Sequence, residues 1–418
     1  MDKLKKIGQK LFFIASGALM FLLPFNGKLF SFFTTDSNRS LLPICIPVVL
    51  VLGFFTEKFT FNKLRGNWAF RGFGLLFSAY LLSALFNTGV SGSLEELTKK
   101  LSLLVVPFIL ITNRFFFVKN KRFLFSVYFF SILLTLLYLD VQAFFFYKEQ
   151  NVFPFYTNYS MFTHPTYFGS NVLISIIFLF ERIARTKRSW SRKTVQMILL
   201  LVLVIHLLFL LSKVVLICAI IVLLFYFFYL LFKDVLKLVL YMAVFTFPVL
   251  LIVFMPLSHS EITQNMVSRF SSLEHYNSAS GGTAFRYKIS KHTPEIVSNN
   301  WLLGVGVGNE QSYLMKFYQE HDWDFSHERG LNSHNQFVQT CLSVGLFGVL
   351  VLLAMLLVPL FINEFDGKKV MLLCFVFLFC TEAMLERQAG IVLFVFFYLF
   401  SFSLQGSGEM KKKAAAKK

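Results

Sequence analysis

Long apolar runs recur along almost the whole chain, and short polar connections separate them. They fall near residues 8–25, 41–56, 68–86, 101–118, 123–146, 166–181, 195–211, 214–232, 235–256, 337–362, 370–386 and 389–404. That makes about twelve segments near the ~20-residue length that a hydrocarbon layer demands. Some are short enough to be tilted or broken. Lipid offers no partners to backbone groups, so each segment must satisfy its own. Continuous apolar runs, without the alternation of barrel strands, do this as helices. The pattern therefore predicts an all-α polytopic membrane protein. It divides into transmembrane helices over 1–257, one long polar segment over 258–336, further helices over 337–404 and a basic tail over 405–418. Within the polar segment the spacing predicts an amphipathic helix from Arg286 to Val297.

Composition agrees with the pattern. Hydrophobic residues make up 56% of the chain and charged residues 15%, where a soluble domain has roughly 25% charged. The net charge of +18 would suit nucleic acid if it were gathered on one face. Instead it sits in the connections, which excludes a nucleic-acid partner and fits topology signals and anionic membrane lipid. Lys3, Lys5, Lys6 and Lys10 put the start in the cytoplasm, as a first anchor. Basic connections around Lys58–Arg65, Lys119–Arg122, Arg182–Lys193, Lys233–Lys237 and Lys368–Lys369, and the tail Lys411–Lys418, all fall on the same side if twelve spans are crossed. The expected topology thus has both termini cytoplasmic and 258–336 facing outward. The five cysteines, Cys45, Cys218, Cys341, Cys374 and Cys380, lie in or beside apolar runs at no metal-ligand spacing and read as core residues. No internal repeat or matched pair of broken helices is visible, which weighs against a secondary transporter.

Polar groups that could carry chemistry gather on the outward side. Lys213 sits at the junction of two apolar runs, either snorkelling to the headgroups or contacting a phosphate held at that depth. Arg286, after Ser280-Gly281-Gly282-Thr283, and Arg269 each offer a planar fork that suits a diphosphate. His334, in Asn332-Ser333-His334-Asn335, is either a hydrogen-bonded cap or, as neutral imidazole, a base for a hydroxyl. Asn332 and Asn335 are positioned to fix its tautomer or to bind a sugar. His321 and His327, with Asp322, Asp324 and Glu328, match no metal motif. Gly304-Val305-Gly306-Val307-Gly308 lacks the context of a nucleotide site and reads as a tight turn. Asp140, His206, Glu382 and Glu386 are ionisable groups inside or at the edge of apolar runs. Glu386 is expected to pair with Arg387, and each of these groups either braces the outer site or touches substrate.

Taken together, Arg286, the segment Trp301-Leu302-Leu303-Gly304-Val305-Gly306-Val307-Gly308, and His334-Asn335-Gln336-Phe337 through Gly345-Leu346-Phe347-Gly348 resemble the O-antigen ligase and polymerase family. Ser212-Lys213 falls where that family commonly has Ser-Arg. His164-Pro165-Thr166-Tyr167 and Thr381-Glu382 through Gln388 resemble segments seen in some members. The resemblance implies a GT-C-like inner-membrane glycosyltransferase with its active site facing the periplasm and no cofactor or metal. The implied donor is an undecaprenyl-diphosphate-linked glycan and the implied acceptor lipid A-core. It implies His334 as general base or acceptor-orienting residue. Lys213 and Arg286, with Arg269 and Asn335, would bind substrate. Lysine at 213 keeps the family's charge but loses the bidentate fork. Direct attack by the acceptor would invert the anomeric configuration. A polymerase of the same family, a protein oligosaccharyltransferase and a transporter of lipid-linked glycan are the alternatives.

Overall fold

Helix is the single regular structure that lets an apolar segment bury its own backbone polarity in lipid. Every regular element among the described residues is helical. The computed structural model describes residues 2–25, 40–56, 61–86, 90–160, 163–185, 190–231, 282–361 and 366–404. The expected span 235–256, Arg269 and the tail 405–418 lie outside the described residues. In chain order the helices are α1 (Asp2–Leu22), α2 (Leu42–Gly53), α3 (Phe61–Arg65), α4 (Trp68–Phe86), α5 (Val90–Lys100), α6 (Ser102–Thr112) and α7 (Arg114–Lys119). There follow α8 (Lys121–Gln150), α9 (Pro165–Arg185), α10 (Trp190–Leu210), α11 (Lys213–Leu231) and α12 (Gly282–Ser298). The series ends with α13 (Glu310–Glu320), α14 (Asp324–Glu328), α15 (Gln336–Phe361), α16 (Gly367–Thr381) and α17 (Gln388–Phe402).

Among the described residues, six helices are long and apolar enough to cross a membrane: α4, α8, α9, α10, α11 and α15. The chain is a multi-pass membrane protein. The other expected spans in the described residues are also helical: α1 has 21 residues but carries four lysines in its first half, and the rest are shorter or interrupted. The run expected over 101–118 breaks at Asn113, whose φ of −103° and ψ of 29° leave the helix. Its side-chain amide donates to the Ile109 carbonyl at 3.1 Å, a carbonyl that the Asn113 N–H also reaches at 3.1 Å. The run expected over 370–386 stops at Thr381, and a 3-10 turn, Met384–Glu386, follows. The segment 258–336, expected as a loop, is mostly helical where it is described. Its amphipathic helix α12 begins four residues before Arg286, at Gly282.

The chain divides into two compact units. The first holds residues 1–128, 292–364 and 382–418. In it α1 packs on α2, α4 on α15 and α6, and α17 on α6. Every residue of α17 from Gly390 to Ser401 is buried, so it is the core helix of this unit, walled by Phe73, Phe125 and Tyr128. The second unit holds residues 129–291 and 365–381. In it α9 packs on α10 and α11, and α11 on α16. Cys218 and Cys374 face each other's backbone across α11 and α16, their sulfurs within 3.9 Å of the opposing carbonyls. These two cysteines are core as expected, whereas Cys380 is exposed and Cys45 and Cys341 are half-buried.

The glycine turn is fixed to the first unit by close backbone approach. Gly304, Gly306 and Gly308 all have positive φ, the conformation only glycine adopts without strain. Val305 N–H donates to the Leu342 carbonyl at 2.7 Å, and Leu346 N–H to the Leu302 carbonyl at 3.2 Å. The second bond is possible because α15 kinks at Gly345, φ 70° and ψ −165°. A Cβ at Gly345 would lie 2.0 Å from the Leu302 oxygen. Ser83 and Ser93 complete the clamp, Ser93 Oγ donating to the Val307 carbonyl at 2.7 Å and Ser83 Oγ accepting from Val307 N–H at 3.1 Å.

Candidate active site

The residues just before α15 form a hydrogen-bonded hook that presents one imidazole. Asn335 Oδ1 accepts from the N–H groups of Phe337 and Val338 at 2.9 and 3.1 Å, which makes it the N-cap of the helix. Ser333 is fully buried and its hydroxyl donates to Gln339 Oε1 at 2.9 Å. Between them His334 is forced to φ 44°. Asn332 Oδ1 takes its backbone N–H at 3.0 Å. A left-handed non-glycine residue held from both sides is the kind of local cost that marks functional positions.

The imidazole itself is oriented from far along the chain. His334 Nδ1 lies 3.1 Å from Glu382 Oε2, and the Glu382 side chain is only 4% exposed. A buried carboxylate accepts a proton-bearing nitrogen, so Nδ1 donates and the basic lone pair falls on Nε2. Glu382, rather than Asn332 or Asn335, therefore sets the ring. Gln336, also fully buried, accepts the Leu385 N–H at 2.6 Å. That bond fixes the segment after Glu382 against the start of α15.

Two further acids stand nearby in the fold of this unit. Glu386 pairs with Lys100, whose ammonium is fully buried and also donates to the Leu385 carbonyl at 2.7 Å. Burial opposes the charge on Lys100, yet Glu386, Tyr80 and Glu96 together outweigh it and hold the pKa above its usual value. The partner was missed because Lys100 stands in an ordinary-looking run of lysines, Lys99-Lys100, ending an amphipathic helix. Glu310 is buried, accepting from Gly308 N–H at 2.7 Å and from the Ser343 hydroxyl. Burial first, and Glu386 second, push its carboxyl above the usual range.

In the second unit the structure joins two segments singled out in the sequence. Thr166 Oγ1 and Ser212 Oγ are hydrogen-bonded at 3.0 Å, which ties the start of α9 to the start of α11. Lys213 is the first residue of α11. A cation there is opposed by the positive end of the helix dipole, and the two together favour an anion. Arg286, on α12, donates through Nε to the Thr381 carbonyl at 2.8 Å, so its terminal fork is aimed by one fixed bond. Asp140 accepts from the Tyr159 hydroxyl at 2.8 Å and lies 3.0 Å from His206 Nε2. Two of the four ionisable groups noted in apolar runs are thus partners of each other.

His321 does not gather with His327 or the neighbouring acids. It meets Glu295 at 2.9 Å, and His292 meets the other oxygen of Glu295 at 3.0 Å. Hydrogen bonds from His292 and His321 hold the Glu295 carboxyl below the usual range.

Residues 197–353 carry an O-antigen ligase domain, matching the family model of that description. The matched stretch includes Lys213, Arg286, the glycine turn and His334, while Glu382 and Glu386 lie beyond it. No curated protein matches the chain. Over that stretch the chain is similar to the O-antigen ligase family.

Proposed function

We propose that the protein transfers a glycan from undecaprenyl diphosphate to the lipid A-core oligosaccharide, with inversion and without a metal. The observation that carries this reading is the His334–Glu382 pair, which leaves the imidazole in the tautomer a base requires. His334 Nε2 takes the proton of the acceptor hydroxyl as its oxygen attacks the anomeric carbon. The bond from that carbon to the diphosphate oxygen breaks on the opposite face, and the diphosphate leaves with the electron pair. Lys213 and Arg286 hold the diphosphate and offset its growing charge, and Arg269 is a further candidate for that task. Such stabilisation is worth most in a site with little water. Glu382 supports the imidazolium that forms, as a buried carboxylate does in hydrolytic triads. Asn335 acts chiefly by capping the helix that presents the base. The distribution of lysine and arginine supports cytoplasmic termini and a periplasmic site.

Deletion of the gene followed by analysis of surface glycans tests the reaction. The expected outcome is bare core with long chains still made on the carrier. Core capped by single repeat units would assign the protein to polymerisation, which the same domain and the same chemistry accommodate. Bare core with lipid-linked chains confined to the cytoplasmic leaflet would assign it to transport.

A further inference from the structure

We propose that His292, Glu295 and His321 form a site for a divalent transition-metal ion of the zinc class, independent of the transfer reaction. His292 and Glu295 stand three residues apart on α12 and so share a face. His321 follows the last turn of α13. One carboxylate receives both rings: His292 Nδ1 is 3.0 Å from Oε2 and His321 Nε2 is 2.9 Å from Oε1.

The tautomer of His321 is the decisive feature. Its Nδ1 lies 2.8 Å from the Phe317 carbonyl, an acceptor only, so Nδ1 carries the hydrogen. In the neutral ring Nε2 then presents a lone pair, and that lone pair faces a carboxylate lone pair. The arrangement is attractive only with a positive species between them, either a proton or a metal ion. Zinc-binding histidines routinely donate their other N–H to a backbone carbonyl, which fixes the ring and raises its basicity. Phe317 supplies that carbonyl, and its own ring stacks on His321 with centroids 3.9 Å apart. The edge of Trp323 approaches the His292 ring at 5.3 Å.

The dimensions fit. Tetrahedral zinc with bonds of about 2.0–2.1 Å sets neighbouring ligand atoms roughly 3.3 Å apart. Both histidine–carboxylate separations are within a few tenths of an ångström of that value. All the ligand atoms lie within 4.8 Å of one another, so the two histidines need a modest approach. Two imidazoles and one carboxylate favour zinc and its neighbours over calcium or magnesium, which seek mainly oxygen. The Glu295 side chain is 54% exposed, which gives an ion entry and leaves water to complete its coordination. A bound ion would pin the second half of α12 to the end of α13, a structural latch.

The test is calorimetric titration of zinc ion into the full-length protein, purified in detergent on a tag without histidines. Binding of one saturable equivalent is expected, with a rise in melting temperature. Glu295→Gln, His292→Ala and His321→Ala should each weaken binding by about tenfold or more and abolish the rise. Cobalt bound in place of zinc should give the visible absorption of a tetrahedral ion. Absence of saturable binding to the wild type would overturn the proposal and leave the cluster as a protonated ion-paired triad. Undiminished affinity in the triple variant would overturn it equally.

Discussion

A histidine that removes a proton at neutral pH must have one nitrogen committed to a partner that never competes for the other. Glu382 does this for His334, while Asn332 and Ser333 hold the backbone that carries the ring. The histidine was legible because it stands in a polar cluster at the edge of an apolar run. Its carboxylate was visible only as an ionisable group in a distant apolar run, since nothing in spacing joins residues 334 and 382. The same limit hid Lys100 from Glu386 and His292 from His321, pairs made by tertiary packing alone. Lys213 was legible by position, as a lone cation between two long apolar runs. If it holds a diphosphate, charge matters more than fork geometry. Lys213→Arg should then keep most transfer activity, and Lys213→Ala should raise the donor KM by about tenfold, the worth of one charge-assisted hydrogen bond. Equal donor KM in the two variants, measured with purified protein, would remove Lys213 from the site.

At the scale of elements, periodicity and run length placed the helices well, because lipid leaves the backbone no other choice. They failed where a side chain competes with the helix for its own carbonyls, as at Asn113, or where another element satisfies the last carbonyl, as Arg286 does for Thr381. The early end of α16 frees Glu382, the next residue in the chain, from a helical course. The glycine turn was legible as a turn, but its docking into the kink of α15 was not. Gly345→Ala places a methyl group against the Leu302 carbonyl in a backbone conformation that itself costs about 1–3 kcal/mol for other residues. A lowered melting temperature is expected, together with reduced transfer, because the helix displaced is the one that His334 precedes. A variant with unchanged melting temperature and rate would show that the turn and the kink are not coupled.

For the whole molecule, composition alone identified a membrane protein, and six helices of spanning length among the described residues agree. The count of twelve came from hydropathy, which cannot separate a true crossing from a short apolar helix such as α2 or α6. Orientation rests on where the basic residues lie. Reporter fusions after residue 300 should be active in the periplasm and silent in the cytoplasm, and fusions after residue 188 should show the reverse. A cytoplasmic signal at residue 300 would put His334 on the side where the acceptor proposed here is not displayed.

The most direct measurement is the turnover of purified protein in liposomes, given lipid-linked glycan and acceptor. His334→Ala should lose at least about 10²-fold in kcat, the share of a general base. Glu382→Gln, which keeps the shape but favours the wrong tautomer, should lose about 10- to 100-fold with the donor KM unchanged. A His334→Ala variant that turns over at the wild-type rate would contradict the assignment of the imidazole as the base.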